Sequence, residues 1–256
     1  MTFTIQKANF WKRFSAWLID TVLVLLLSVA LSIPTLEILK LDSYSQQLGA
    51  IQLSYRTDIE AQYSVKLDIS EEDYNALPKA EKDNYDAASK ALNDLLAADE
   101  TFMQLRADRF NVIVIDVCVT VALGIALTHL VIPLFLKNGQ TLGKKTFGLC
   151  VIRTNGVKIT HAQLFVRSIV GIFAIETAAV AFLLMVIPVG TIAAVLVQAL
   201  QIGVMIKTDT NSSIHDLLAD TAVVDFASQK IFETEEECAE FIARMEVEQV
   251  EAQNNA

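Results

Sequence analysis

The sequence predicts an all-α membrane protein: a four-helix transmembrane bundle with a small cytoplasmic β-hairpin and an extracytoplasmic helical insertion. Three observations predict it. Hydrophobic residues make up 53% of the 256, above the roughly 45–50% of a soluble domain, and the mean hydropathy is +0.43. Apolar stretches of spanning length run from Phe14 to about Ile33, Phe110 to about Leu136 and Ala162 to about Ile206. A crossing takes roughly 20 apolar residues, so the last stretch, broken at Pro188 and Gly190, holds two. Charge is also segregated along the chain, and that segregation orients it.

The N-terminal segment has Lys7, Lys12 and Arg13 and no acid, and residues 137–167 have Lys137, Lys144, Lys145, Arg153, Lys158 and Arg167 and no acid. Basic flanks stay cytoplasmic. Residues 37–109 hold 15 acids against 8 bases and therefore fall on the outer side. The resulting organisation is a cytoplasmic N-terminus and first span (1–33), an outer helical insertion (34–109), spans two to four with a basic cytoplasmic hairpin at 137–161 (110–206), and a cytoplasmic segment with an acidic tail (207–256). The net charge of -10 comes largely from the insertion and the tail. The first span is too long and too charged at Asp20 for a cleaved signal peptide.

Within the insertion, Ser70 with Asp73 offers a helix-capping pair. After Pro78, apolar residues at Tyr85, Ala88, Leu92, Leu95, Leu96, Phe102 and Met103 follow helical spacing, which predicts a helix running into the second span. An amphipathic hairpin packed on itself is favoured over a partner-docking cap. In the cytoplasmic block, GLCVIRTNGVKIT reads as two strands around Asn155-Gly156 in a type I′ turn. Residues Ala222 to Val224 can add a third strand, and Ser213 heads a short helical turn before them.

Charged and polar groups inside spans are the candidate functional residues, because an ionisable group at bilayer depth is costly and marks a site. Asp20, Glu176 and Asp116 order themselves from the cytoplasm to the outside, with His129, Gln198 and Gln201 as further polar candidates. Together they suggest a path for a monovalent cation or proton. Arg13 and Asp20 are seven residues apart and share a helix face, but helical rise separates them by roughly 10 Å, so they seek different partners. Arg13 is expected to snorkel to cytoplasmic head groups and Asp20 to meet a group from another span. Asp216 is expected to tie the cytoplasmic hairpin through Arg13 or Lys144. Lys137, Lys144, Lys145, Arg153, Lys158 and Arg167 form a basic block suited to anionic lipid.

No metal-ligand cluster or cofactor fingerprint is present, and nothing points to nucleic acid or to an enzyme. The run Gly139-Gln140-Thr141-Leu142-Gly143-Lys144-Lys145-Thr146 has the wrong spacing for a phosphate-binding loop. Cys118, Cys150 and Cys238 offer no outer pair to oxidise.

Three blocks in order, FWKRFSAWLID, GQTLGKKTFGLCVIRTNG and SIHDLLADT, resemble the RDD family of bacterial membrane proteins, named for an arginine and two aspartates. By position Arg13 is the family arginine, Asp20 the first aspartate and Asp216 the second. The chain departs from the pattern at Asp220, where the family often has Gly, and in its long outer insertion. The resemblance implies a multi-span inner-membrane protein of a transport type, with sodium or proton exchange suggested. The expectation is therefore a small oligomeric ion-exchange protein with both termini cytoplasmic. The competing expectation is a scaffold that does not transport and recruits a partner through the insertion or the basic loop.

Overall fold

The computed structural model describes residues 5–170, 189–208 and 210–254. It is mostly helical and divides into two compact units, Met1–Leu31 with Cys118–Ala256, and Ser32–Val117. The division falls within two long helices, α1 (Phe10–Ile38) and α5 (Glu100–Ala126). The latter continues through a π turn at Leu127–Val131 to Phe135.

Both long helices are apolar enough to cross a membrane, and little of each is buried within the protein. The exposed face of α1 carries Trp11, Phe14, Leu18, Val22, Leu25 and Val29, while its buried residues are Arg13, Ala16, Asp20, Val24 and Ser28. That pattern inverts a soluble amphipathic helix. Polar and small groups face inward, and apolar side chains face out, as a lipid surround demands. Ser28 Oγ donates to its own Val24 carbonyl at 2.7 Å and lies 3.3 Å from the Thr120 carbonyl of α5. Gly124 permits this approach, since a Cβ there would stand 2.9 Å from Ser28 Oγ. In the third apolar stretch, where two further spans were expected, Val189–Lys207 is helical (α8), whereas Glu176 and residues 171–188 lie outside the described residues.

The second unit is a helical hairpin built by α2 (Leu41–Tyr63) and α4 (Lys79–Ala98), with α3 (Glu71–Ala76) between them. Ile59, Ala88, Leu92 and Leu96 form its core, flanked by Tyr55, Tyr63, Val65 and Leu67. Ser70 caps α3 by accepting from the Asp73 amide at 3.1 Å. The expected continuous helix from the insertion into the second span is broken at Asp99, whose ψ of 106° is extended. Its carboxylate accepts from the Phe102 amide and from Tyr55 Oη, so it starts α5 afresh at Glu100.

The sheet also differs from the expected cytoplasmic hairpin. Strand β1 (Leu149–Arg153) pairs antiparallel with β2 (Thr221–Asp225), Val151 opposite Val223. The returning arm of the predicted hairpin contributes only an isolated bridge, Ile152 to Lys158, and on the far side Lys7 bridges Val224. The Asn155-Gly156 loop is not type I′, because Gly156 has a positive φ of 86° and Asn155 does not. The Gly156 amide donates to the Arg153 carbonyl, and the Arg153 amide to the Val157 carbonyl, closing a three-residue loop that ends in a left-handed glycine. The expected third strand is present: β2, apolar and β-branched, pairs along the other edge of β1, so that Ile152 faces Ala222 on one side and Lys158 on the other. Leu149, Val151 and Val223 pack with Ala8 and Ala16 on one face, and Cys150, Ile152 and Val224 with Ile5 and Ile231 on the other.

The acidic tail folds as α10 (Glu235–Asn254), held to the loop by Phe232, Cys238, Phe241 and Ile242 around Val157. Arg153 pairs with Glu235, and Lys158 with Glu233 at 3.1 Å.

Cys150 tests the sheet. It is fully buried, and burial pushes its thiol up to about 12, so little thiolate is available as a nucleophile. A maleimide applied to the folded protein at neutral pH should leave Cys150 unmodified and modify it only after denaturation. Labelling at the native rate of an exposed cysteine would contradict the β1–β2 pairing.

Candidate functional site: a buried arginine–aspartate core

The site forms in the first unit, where the sheet brings four segments together: α1, the short α6 (Leu142–Thr146), the start of the third apolar tract after α7 (His161–Phe165), and α9 (Ile214–Leu218). Their charged residues are almost wholly shielded: Arg13 is 9% exposed, Arg167 3%, Asp20 2% and Asp216 0%.

Asp216 is the hub. Arg13 Nη2 donates to its Oδ2 at 2.8 Å, and Arg167 donates to Oδ1 through Nε at 2.9 Å and Nη2 at 2.7 Å. The Ser213 hydroxyl donates at 2.7 Å and the Ser213 amide at 3.1 Å, making Ser213 and Asp216 a reciprocal cap on α9. Burial by itself would raise this carboxyl, but the guanidiniums of Arg167 and Arg13, with His215 and the Ser213 hydroxyl, hold it well below the usual carboxylate range. The second nitrogen of the Arg13 fork donates to the Asn211 carbonyl. Arg13 therefore does not snorkel to head groups. Both Nη groups of its fork are bonded inside the protein, which offsets the cost of burying it.

Asp20 is held separately. Thr141 Oγ1 donates to Oδ2 at 2.6 Å, and the Gly143 amide to Oδ1 at 2.9 Å. Its partners come from the loop after the second span, not from another span as expected, because α6 folds back against α1. Gly143 is required for that approach: a Cβ there would lie 2.2 Å from the Ala16 carbonyl and 2.9 Å from the Asp20 carboxylate. Arg13 and Asp20 thus do have different partners.

Lys144, half-buried on α6, points its ammonium to within 3.5 Å of Thr141 Oγ1. Burial pushes it down to about 8, with Arg167 and Arg13 acting in the same sense and Asp20 and Asp216 against it. The core holds three cations, Arg13, Arg167 and Lys144, and two carboxylates.

The remaining candidates are dispersed. Asp116 lies in the second unit, buried, with Ser32 Oγ donating to it at 2.6 Å. His129 lies in the π turn of the second span, its carbonyl accepting from Ser168 Oγ at 2.6 Å. Gln201 is partly buried on α8, and the side chains of Gln198 and Lys137 fall outside the described residues, as does Glu176. Of the basic block, Arg167 is not a lipid contact but a buried partner of Asp216, and Arg153 and Lys158 face acids of the tail. Lys145 is exposed.

Sequence reasoning missed the role of Arg167 and of the Thr141–Gly143 clamp. A signal for the first was present, since Arg167 is the base that reaches deepest into an apolar tract. The clamp had none, because a backbone amide leaves no compositional trace. Asp220 shows the reverse case. Its φ of 52° is left-handed, the conformation a glycine supplies, and Asp is among the few other residues that tolerate it. Thr154 Oγ1 donates to its carboxylate.

Apolar helices with outward-facing hydrophobic surface, closed at one end by buried arginine–aspartate pairs, define an integral membrane protein with a polar core at its loops. The RDD family pattern matches residues 7–220, and the chain belongs to the RDD family. No curated protein and no solved structure matches it.

Asp216→Asn keeps the shape of the hub but leaves two buried guanidiniums without a counter-charge, a change that costs about 3–5 kcal/mol in buried pairs. Thermal unfolding in detergent should show a large loss for it. Gly143→Ala should cost about 1–3 kcal/mol by overpacking, whereas Gly203→Ala, with open space around it, should change little. Because Asp216 is depressed, the hub's stabilisation is present above the unfolded carboxylate value near 4 and is lost only as pH falls below it. Melting midpoints measured from pH 7 to pH 3 should hold until the acid end and then drop, with the drop absent in Asp216→Asn.

Proposed function

We propose that this protein is a small ion-exchange transporter of the cell membrane, four-spanning and oligomeric with both termini in the cytoplasm, in which Asp20 binds a monovalent cation or proton. The observation that carries this reading is the Asp20 carboxylate itself, buried on the inward stripe of a membrane-length helix and held by a hydroxyl and an amide. Arg13, the nearest base on its own helix, is committed to Asp216. Among the described residues, Asp20 accepts from two neutral donors and from no guanidinium, which leaves its charge uncompensated by a fixed cation, as an exchanging site requires. Glu176, by its place in the third apolar stretch of the sequence, is the second carboxylate proposed to take part.

A scaffold that recruits partners through its basic loop is less well supported. Arg167 is buried in the hub, and Arg153 and Lys158 already face Glu235 and Glu233.

Reconstituted protein should acidify or alkalinise liposomes in response to an imposed sodium gradient, and Asp20→Asn should reduce that flux at least tenfold. Equal flux in wild type and Asp20→Asn removes Asp20 from the mechanism, and flux no greater than in empty liposomes removes the transport reading.

A further inference from the structure

We propose that the π turn near the end of the second apolar helix holds a monovalent cation, with Thr128 as its ligand through both its carbonyl and its hydroxyl oxygen. The inference rests on the ion-exchange reading for the identity of the ion and adds a station separate from Asp20.

The backbone of this helix runs short of donors at the turn. Within Leu127–Val131 the Ile132 amide donates to the Leu127 carbonyl, five residues back, so it is not available to Thr128, its partner in an α-helix. The next residue, Pro133, has no amide proton to give to Thr128 in the π register or to His129 in the α register. Two successive carbonyls thereby lose their helical donors. Ser168 serves one of them, its hydroxyl donating to the His129 carbonyl at 2.6 Å. Ser168 is itself buried in the middle of a second π turn, residues 166–170. No helical donor is left for the Thr128 carbonyl.

The Thr128 hydroxyl is the second oxygen. Thr128 is fully buried, and its Oγ1 has no hydrogen-bond partner. A helical threonine ordinarily returns its hydroxyl to a carbonyl one turn back, as Thr21 does to Trp17 at 2.9 Å, Thr57 to Leu53 at 2.8 Å and Thr146 to Leu142 at 2.9 Å. Thr128 departs from that habit where water cannot compensate for it, and an unmet buried hydroxyl is costly.

A cation meets both oxygens at once. Carbonyls released from an interrupted helix coordinate sodium in membrane proteins, and a released carbonyl carries the partial negative charge that a helix otherwise shows only at its C-terminus. Neither π turn contains an acid, so the donors are neutral and suit a single charge better than a divalent ion, which draws on carboxylates. Arg167, one residue before Ser168, is paired with Asp216.

The test is thermal unfolding of the purified full-length chain in detergent, in sodium chloride and in choline chloride at equal ionic strength. Asp20→Asn serves as the parent, so that Asp20 cannot produce the effect. Its midpoint should rise with sodium. Adding Thr128→Val, which keeps the shape without the hydroxyl, should weaken the apparent sodium affinity about tenfold or more, the loss of one direct oxygen ligand. Thr128→Ser should retain the response. The same comparison in the wild-type parent covers the case in which Asp20→Asn fails to fold. An Asp20→Asn midpoint that sodium does not move, or a response equal with and without Thr128→Val, overturns the proposal. So does a Thr128→Val variant destabilised to the same extent in both salts, since a water then satisfies the hydroxyl. In liposomes, flux that needs Asp20 but is unchanged in Thr128→Val removes this site and leaves the transport reading standing. A sodium response that needs Thr128 in a protein without flux keeps the site and removes transport.

Discussion

The first unit depends on a single carboxylate. Asp216 gathers Arg13 from the first helix and Arg167 from the third apolar tract, while Ser213 caps it from its own turn. Two buried guanidiniums would be untenable without it, and it would be untenable without them. Such a group of ions is weak as a source of net stability, since desolvation consumes much of the Coulombic gain. What the ion pairs do is join α1, α9 and the start of the third tract through one carboxylate.

That arrangement in turn shapes the site around Asp20. Because Arg13 is engaged at the hub, the carboxylate two turns further along the same face has no guanidinium and accepts from Thr141 and Gly143 instead. The loop that supplies them can approach because position 143 has no side chain. A small sheet, β1 with β2, holds the loop and α9 in register beside the end of α1. The core thus separates two roles that chemistry often merges, a permanently paired carboxylate that organises the fold and a second whose partners are neutral or titratable.

Much of this was legible in the residues. The shared face of Arg13 and Asp20, the position of Asp216, the capping serine at 213, the β-branched strand at Ala222–Val224 and the family all follow from local pattern, because periodicity, capping and β-branching act over a few residues. Less legible were interactions between distant segments. Arg167 read as surface charge because composition cannot distinguish a base that faces head groups from one that turns inward to a carboxylate 49 residues away. The turn at Asn155-Gly156 was misjudged because the dipeptide fits several loops, and here only Gly156 takes the positive φ, in a three-residue loop.

The sequence by itself determined the membrane setting, the direction of the charge bias and which carboxylates are too deep to be ordinary, since these depend on hydropathy and spacing along one chain. Only the tertiary structure decided which base meets which acid. Arg13 and Asp20 share a helix face yet never pair, because helical rise holds them apart while folding delivers Asp216 to one and an amide and a hydroxyl to the other.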